Sequence, residues 1–238
     1  MLPNLPIHIT IVFIATTFAG VGIFYWILEN AQPKILDPKK TTIGLIFWLF
    51  FQGMIAQYGF YYQSPIALVQ FFPLLLPPVF ITIFWLFLSK KGKSIIDSIP
   101  LYQLTFFNII RIPVEVVLFW LFLDKAVPEV MTFAGRNYDI IGGLTCAFIA
   151  YFGFHQKKIG RTVLLTWNFA MLALIINIIF HGILSTPTPF QQFGFEAPNI
   201  ALLHYPFVWL VAFLAPMVLL GHLIQIRQLL KGKVVYGV

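Results

Sequence analysis

The chain has 238 residues, 60% of them hydrophobic and only 10% charged, with a mean hydropathy of +0.89. Charged residues make up about a quarter of an ordinary soluble domain, so a water-facing surface of this size has too few polar groups to cover it. The net charge of +7 is spread over small clusters beside apolar runs, which argues against a nucleic-acid-binding face and for the lipid bilayer as partner.

Apolar runs of about 20 residues, the length that spans a bilayer, recur along the whole chain. They predict an all-α fold, a polytopic membrane protein with a seven-transmembrane-helix bundle in a single domain over residues 1–238. The predicted helices are about 8–29, 41–62, 67–89, 96–123, 138–156, 162–184 and 200–226. Residues 1–7 lack the basic stretch of a secretory signal peptide, so the first run is expected to remain as helix 1. The single cysteine, Cys146, lies in an apolar run and is expected to serve packing.

Basic residues alternate between the connections. Lys34, Lys39 and Lys40, then Lys90, Lys91 and Lys93, then Lys157, Lys158 and Arg161, then Arg227, Lys231 and Lys233 fall on one side, and only Lys125 and Arg136 on the other. The excess of basic loops faces the cytoplasm. This predicts a multi-pass protein of the cell (cytoplasmic/inner) membrane with its N-terminus outside and its C-terminus cytoplasmic. Tyr58, Tyr61, Tyr62, Trp120, Tyr138, Tyr205 and Trp209 are expected at the outer headgroup level, and Tyr25, Trp26, Trp85 and Trp167 at the inner one. The outer connection Ser185–Asn199, with three prolines and Phe190, Phe193 and Phe195, reads as a cap folded over the bundle. Prolines inside spans, among them Pro77, Pro113, Pro206 and Pro216, each free a backbone carbonyl that a neighbour must satisfy.

Ionisable groups at membrane depth are costly and mark sites. Arg111 sits mid-helix in FFNIIRIPVEVV, with Asn108 and Glu115 on the same face at helical spacing. The stripe must point into the bundle, either as a structural ion pair or as a site that handles anions or protons. Asn137 reads as the N-cap of helix 5, with Asp139 in its first turn, and Arg136 and Asp139 are candidates for the rim of the same site. His181 and His204 fall near the outer ends of two helices joined by the capping loop. Either they hydrogen-bond in a pocket, or they hold a metal or a haem. Gln57 adds an amide in the outer half, and the inner half looks free of polar residues apart from Asn168 and His222. A lysine for a retinal Schiff base is absent from the last helix, and no DRY-like, NPxxY-like or HExxH spacing occurs.

These features predict an outward-facing pocket for a small polar or amphipathic, lipid-like molecule. In it Arg111 holds an anionic group, Glu115 and Asp139 balance charge, and His181 and His204 donate from the far wall. The alternatives are an intramembrane enzyme with a metal or haem on the two histidines, and a structural subunit of a membrane complex.

Overall fold

In a computed structural model, the described residues are 2, 5–62 and 67–232, with the backbone alone for 67–73. The side chains of Gln70 and Pro73, and Lys233, lie outside them. All regular structure among the described residues is helical: α1 Ile7–Glu29, α2 Pro38–Gln57, α3 Ala67–Leu88, α4 Lys90–Ser98, α5 Leu101–Phe106, α6 Arg111–Leu123, α7 Ile140–Ile149, α8 Arg161–Leu184 and α9 Ala215–Lys231. Short 3₁₀ turns occupy Phe107–Ile110, Glu129–Met131 and Ala201–Leu203, and wider π turns occupy Ala150–His155 and Leu210–Leu214.

Four continuous helices are long and apolar enough to cross a membrane: Ile7–Glu29, Leu101–Leu123, Arg161–Leu184 and Leu210–Lys231. Leu74–Leu88 with Lys90–Ser98 makes a fifth if the pair, bent by 90°, is one broken span. Large apolar side chains stand exposed along these and neighbouring helices, including Phe47, Phe50 and Phe51 on α2, Phe84 and Leu88 on α3, Phe148 on α7 and Phe169, Ile176 and Phe180 on α8. Such continuous exposed apolar area is the signature of a lipid-facing surface. The molecule is therefore an all-helical, multi-pass, membrane-type protein.

Local chemistry sets where the helices start and stop. Asp37 caps α2 by accepting from the Lys40 N–H at 3.1 Å, with Pro38 in the first turn. Ser89 caps α4 by accepting from Gly92 N–H at 2.8 Å. Gly92 lies against the end of α3, where an added Cβ would come within 2.5 Å of Leu86 Cα and of the Trp85 carbonyl oxygen. The sharp bend therefore needs a residue without a side chain at this position. α9 closes on Gly232 at φ 68°, the left-handed C-cap.

Proline accounts for the boundaries that differ from the sequence expectation. The predicted helix 96–123 is split, because Pro100 holds Ile99 extended at ψ 129° and the helix restarts at Leu101. Pro113 has no N–H to return to residue 109, and the preceding turn tightens to 3₁₀. The predicted helix 200–226 breaks at Pro206, so His204 precedes the helix instead of riding on it, and α9 continues to Lys231. Pro216 leaves the Ala212 carbonyl without its helical donor, and Trp48 Nε1–H supplies one at 3.1 Å. Trp209 Nε1–H donates in turn to the Leu49 carbonyl at 2.7 Å. These two indoles stitch α2 to the last helix, one of them through the carbonyl that Pro216 leaves open.

α8 packs along α9, α1 along α2 and α6, and α7 against α6 and its 3₁₀ turn. At one end of the bundle Asp97 on α4 accepts from Arg227 at 2.9 Å and from Lys231 at 3.0 Å on α9. At the other end the loop 185–199 folds back: Gln192 and Phe193 donate backbone N–H bonds to the Leu184 carbonyl, and Asn199 donates to that of Ser185. Phe193 packs on His181, whereas Phe190 and Phe195 point outward. The aromatic cap expected from sequence is thus carried by one phenylalanine, not three.

Substituting Gly92 by leucine forces side-chain atoms into the backbone of α3. Overpacking costs about 1–3 kcal/mol, and a backbone obstacle places this site at the upper end. The midpoint of thermal unfolding in detergent should fall, while Gly44→Leu, where an added Cβ meets nothing within 4 Å, should leave it unchanged.

Candidate functional site

The 3₁₀ turn before α6 decides where Arg111 points. Its guanidinium is 2% exposed and lies beside the N-terminus of α7. Nε donates to Asp139 Oδ2 at 2.7 Å, and Nη2 donates to Asp139 Oδ1 in the same side-on pair. Nη1 donates to Asn108 Oδ1 at 3.0 Å and faces His222 Nε2 at 3.3 Å, while Nη2 also reaches the Met171 carbonyl at 3.3 Å. A guanidinium carries five N–H donors, and all five are directed at protein acceptors. None is left over in this arrangement.

The tautomer of His222 follows from its neighbours. Asn168 Nδ2 donates to the Leu164 carbonyl at 2.9 Å, which turns its Oδ1 toward His222 Nδ1, also at 2.9 Å. The hydrogen therefore belongs on Nδ1, and Nε2 is the acceptor facing Arg111. Helices α6, α7, α8 and α9 meet at this one guanidinium. Two glycines make room: a Cβ on Gly142 would lie 2.1 Å from Arg111 Nη1, and one on Gly143 would lie 2.7 Å from Ile112 Cγ1.

Glu115, one turn along α6, is 1% exposed. It is not the partner of Arg111. Its two carboxyl oxygens accept from Asn137 Nδ2 at 2.7 and 2.8 Å. Asn137 also donates to the Met131 carbonyl at 3.0 Å, and its Oδ1 accepts from the Asp139 N–H at 3.0 Å. The residue read from sequence as a helix cap is thus a clamp between the Glu115 carboxylate and the Asp139 backbone, and Asp139 itself stands at the N-cap of α7. Among the described residues no ion pair involves Glu115.

A cavity of about 130 Å³ opens beside this cluster, with room for far more than one water. Arg111, Glu115 and Asp139 line one part of it, and Thr186 and Asn199 bring in the two ends of the loop 185–199. The remaining wall is almost wholly aliphatic, from α3, α8 and the last helix, including Val79, Ile179 and Leu214. Sequence reading expected a polar hollow; the observed cavity is an apolar one with a polar corner. The polar corner is small because Arg111 and Asp139 are taken up by each other and by Asn108.

The other candidates sit apart from its wall. Arg136 is exposed, 6.0 Å from the Phe193 ring centroid. His181 Nδ1 lies 2.9 Å from the Asn177 carbonyl. His204 Nδ1 lies 2.8 Å from that of Ile200, with its ring stacked on Tyr62 at 3.9 Å. Gln57 is exposed at the end of α2. No three His, Cys, Asp or Glu side chains among the described residues come together as a metal site. Asn108 reaches the cluster through Arg111.

Polar groups also continue beyond the expected half of the bundle. Gln103, Thr105, Gln225 and Gln228 are all buried, with Thr105 donating to Gln225 and Gln228 donating to the Ile96 and Ile99 carbonyls at 2.8 Å. Sequence reading missed this continuation and left His222 outside the set. The signals were present as buried-type amides on α5 and α9 and as the pair Gly142–Gly143 in the first turn of α7, three residues after Asp139. The chain matches no protein-family model, no curated protein and no solved structure.

Removing one member of a buried ion pair strands the other, at a cost of about 3–5 kcal/mol, while replacing both by apolar residues is often neutral. Asp139→Leu should therefore lower the unfolding midpoint in detergent sharply. Arg111→Met combined with Asp139→Leu should recover more than half of that loss. Gly142→Ala, which displaces the guanidinium, should resemble the single Asp139 variant.

Proposed function

We propose that the chain crosses a cell membrane seven times, N-terminus outside and C-terminus cytoplasmic, and binds one small amphipathic molecule between its helices. The alternation of basic connections supports the orientation. α2, at 20 residues, is about 30 Å long, enough for a crossing although its first turn carries Lys39 and Lys40. Ile140–His155 is shorter and completes its crossing with the turn at 137–139. α4 then lies in the headgroup region: its lysines Lys90, Lys91 and Lys93 mark one side and buried Ile95 and Ile96 the other.

The observation that carries the binding reading is the cavity itself. An aliphatic wall for an apolar body meets a corner of buried, oriented polar groups, the usual composition of a small-molecule site. Its walls come from four separate helices and the two ends of one loop, so a bound molecule would bridge several elements at once. The reading is of a receptor-like, carrier or accessory protein of the cytoplasmic membrane.

Orientation is tested by single cysteines in a Cys146→Ala background. Cysteines at Lys125 and Gln192 should react with an impermeant maleimide on intact cells, and those at Lys91 and Lys158 only after permeabilisation; the reverse pattern rejects the assignment. Binding is tested at Gly182, which lines the cavity and has room for a side chain. Gly182→Trp should remove small amphipathic molecules that co-purify with the wild-type protein, as read by mass spectrometry of extracts.

A further inference from the structure

The cavity is unusual in offering acceptors without donors. Arg111 spends all five N–H groups on Asp139, Asn108, His222 and the Met171 carbonyl. Asn137 spends its amide hydrogens on Glu115 and the Met131 carbonyl. The Thr186 hydroxyl donates to the Gly182 carbonyl at 2.9 Å. Two acceptors remain. One is the Glu115 carboxyl, buried with a neutral amide as its hydrogen-bond partner, while the nearby guanidinium is already balanced by Asp139. The other is Asn199 Oδ1, in a residue 2% exposed, which no donor reaches. The amide of Asn199 cannot be reversed, because its Nδ2 donates to the Gly182 carbonyl at 3.1 Å.

Resting on the reading of this cavity as a binding site, we infer that its ligand is a lipophilic amine, held as an ammonium by Glu115 and Asn199. A buried carboxyl whose hydrogen-bond partner is a neutral amide is stabilised in its ionised form by a cationic guest, and a buried carbonyl oxygen without a donor is satisfied by an N–H. An ammonium on an apolar stem satisfies both and leaves the stem against the aliphatic wall of α3, α8 and the last helix. An anionic head group meets a carboxyl, a carbonyl and no free donor, so the same corner rejects it. The Arg111–Asp139 pair is then a positioning device: Asn137, which accepts from the Asp139 backbone N–H and donates to Glu115, fixes the direction in which Glu115 faces.

The test uses three probes of equal stem and different head, hexylamine, hexanol and hexanoate, titrated calorimetrically into the full-length protein in lipid nanodiscs and corrected against empty nanodiscs. Hexylamine should bind at least tenfold more tightly than hexanol, and hexanoate should bind most weakly. Glu115→Gln keeps an acceptor for Asn137 and removes the charge. It should weaken hexylamine about tenfold or more, the range of a hydrogen bond to a charged group, and change hexanol less than threefold. If hexanol binds but hexylamine shows no preference, or keeps its affinity in Glu115→Gln, the ammonium assignment is overturned and the cavity reading stands. If none of the three binds the wild-type protein above the nanodisc background, or Gly182→Trp leaves all binding intact, the cavity reading itself falls. The wild-type ranking decides the matter even where the variant fails to fold.

Discussion

Placing one guanidinium among apolar helices constrains most of this molecule. A charge at such depth is tolerated only when its donors are filled and its field is balanced. Arg111 meets both conditions with groups from four helices: Asn108 and the arginine itself before and at the start of α6, Asp139 at the start of α7, the Met171 carbonyl on α8 and His222 on α9. Each partner is held by a further bond. Asn168 orients His222, and Asn137 ties Asp139 to Glu115. Apolar contacts in a bilayer discriminate poorly between helix arrangements, because lipid offers the same contacts. A directional network of this kind selects one.

The backbone irregularities serve the same end. Pro113 tightens the turn that carries Asn108 and Arg111, and Gly142–Gly143 lets α7 approach closely enough for the side-on pair. Pro206 and Pro216 interrupt the last helix, and the indoles of Trp48 and Trp209 take up carbonyls along the same contact. The cavity lies where the irregular turns of α6 and of the last helix face each other, and where regular helices would have packed shut.

Saturation of the basic group changes the character of the site. An arginine with spare donors attracts anions; an arginine with none is a strut. The carboxyl one turn further along, Glu115, is left with a neutral amide as its hydrogen-bond partner.

Composition and the spacing of apolar runs were enough to determine an all-helical membrane-type protein, the ends of α1 and α8 within a residue or so, and the burial of Asn108, Arg111 and Glu115. These depend on solvation and on local backbone rules, which act through near neighbours in the chain. The partner of Arg111, the entry of His222 and Asn168 into the cluster, the use of Asn137 as a clamp, the breaks at Pro100 and Pro206, and the separation of His181 and His204 from the cavity wall were decided by tertiary structure. An i to i+4 spacing puts Arg111 and Glu115 on one face, but a guanidinium pairs with whichever carboxylate offers both oxygens side-on at the right depth. That carboxylate is 28 residues away, and only the packing of α6 against two glycines of α7 brings it there.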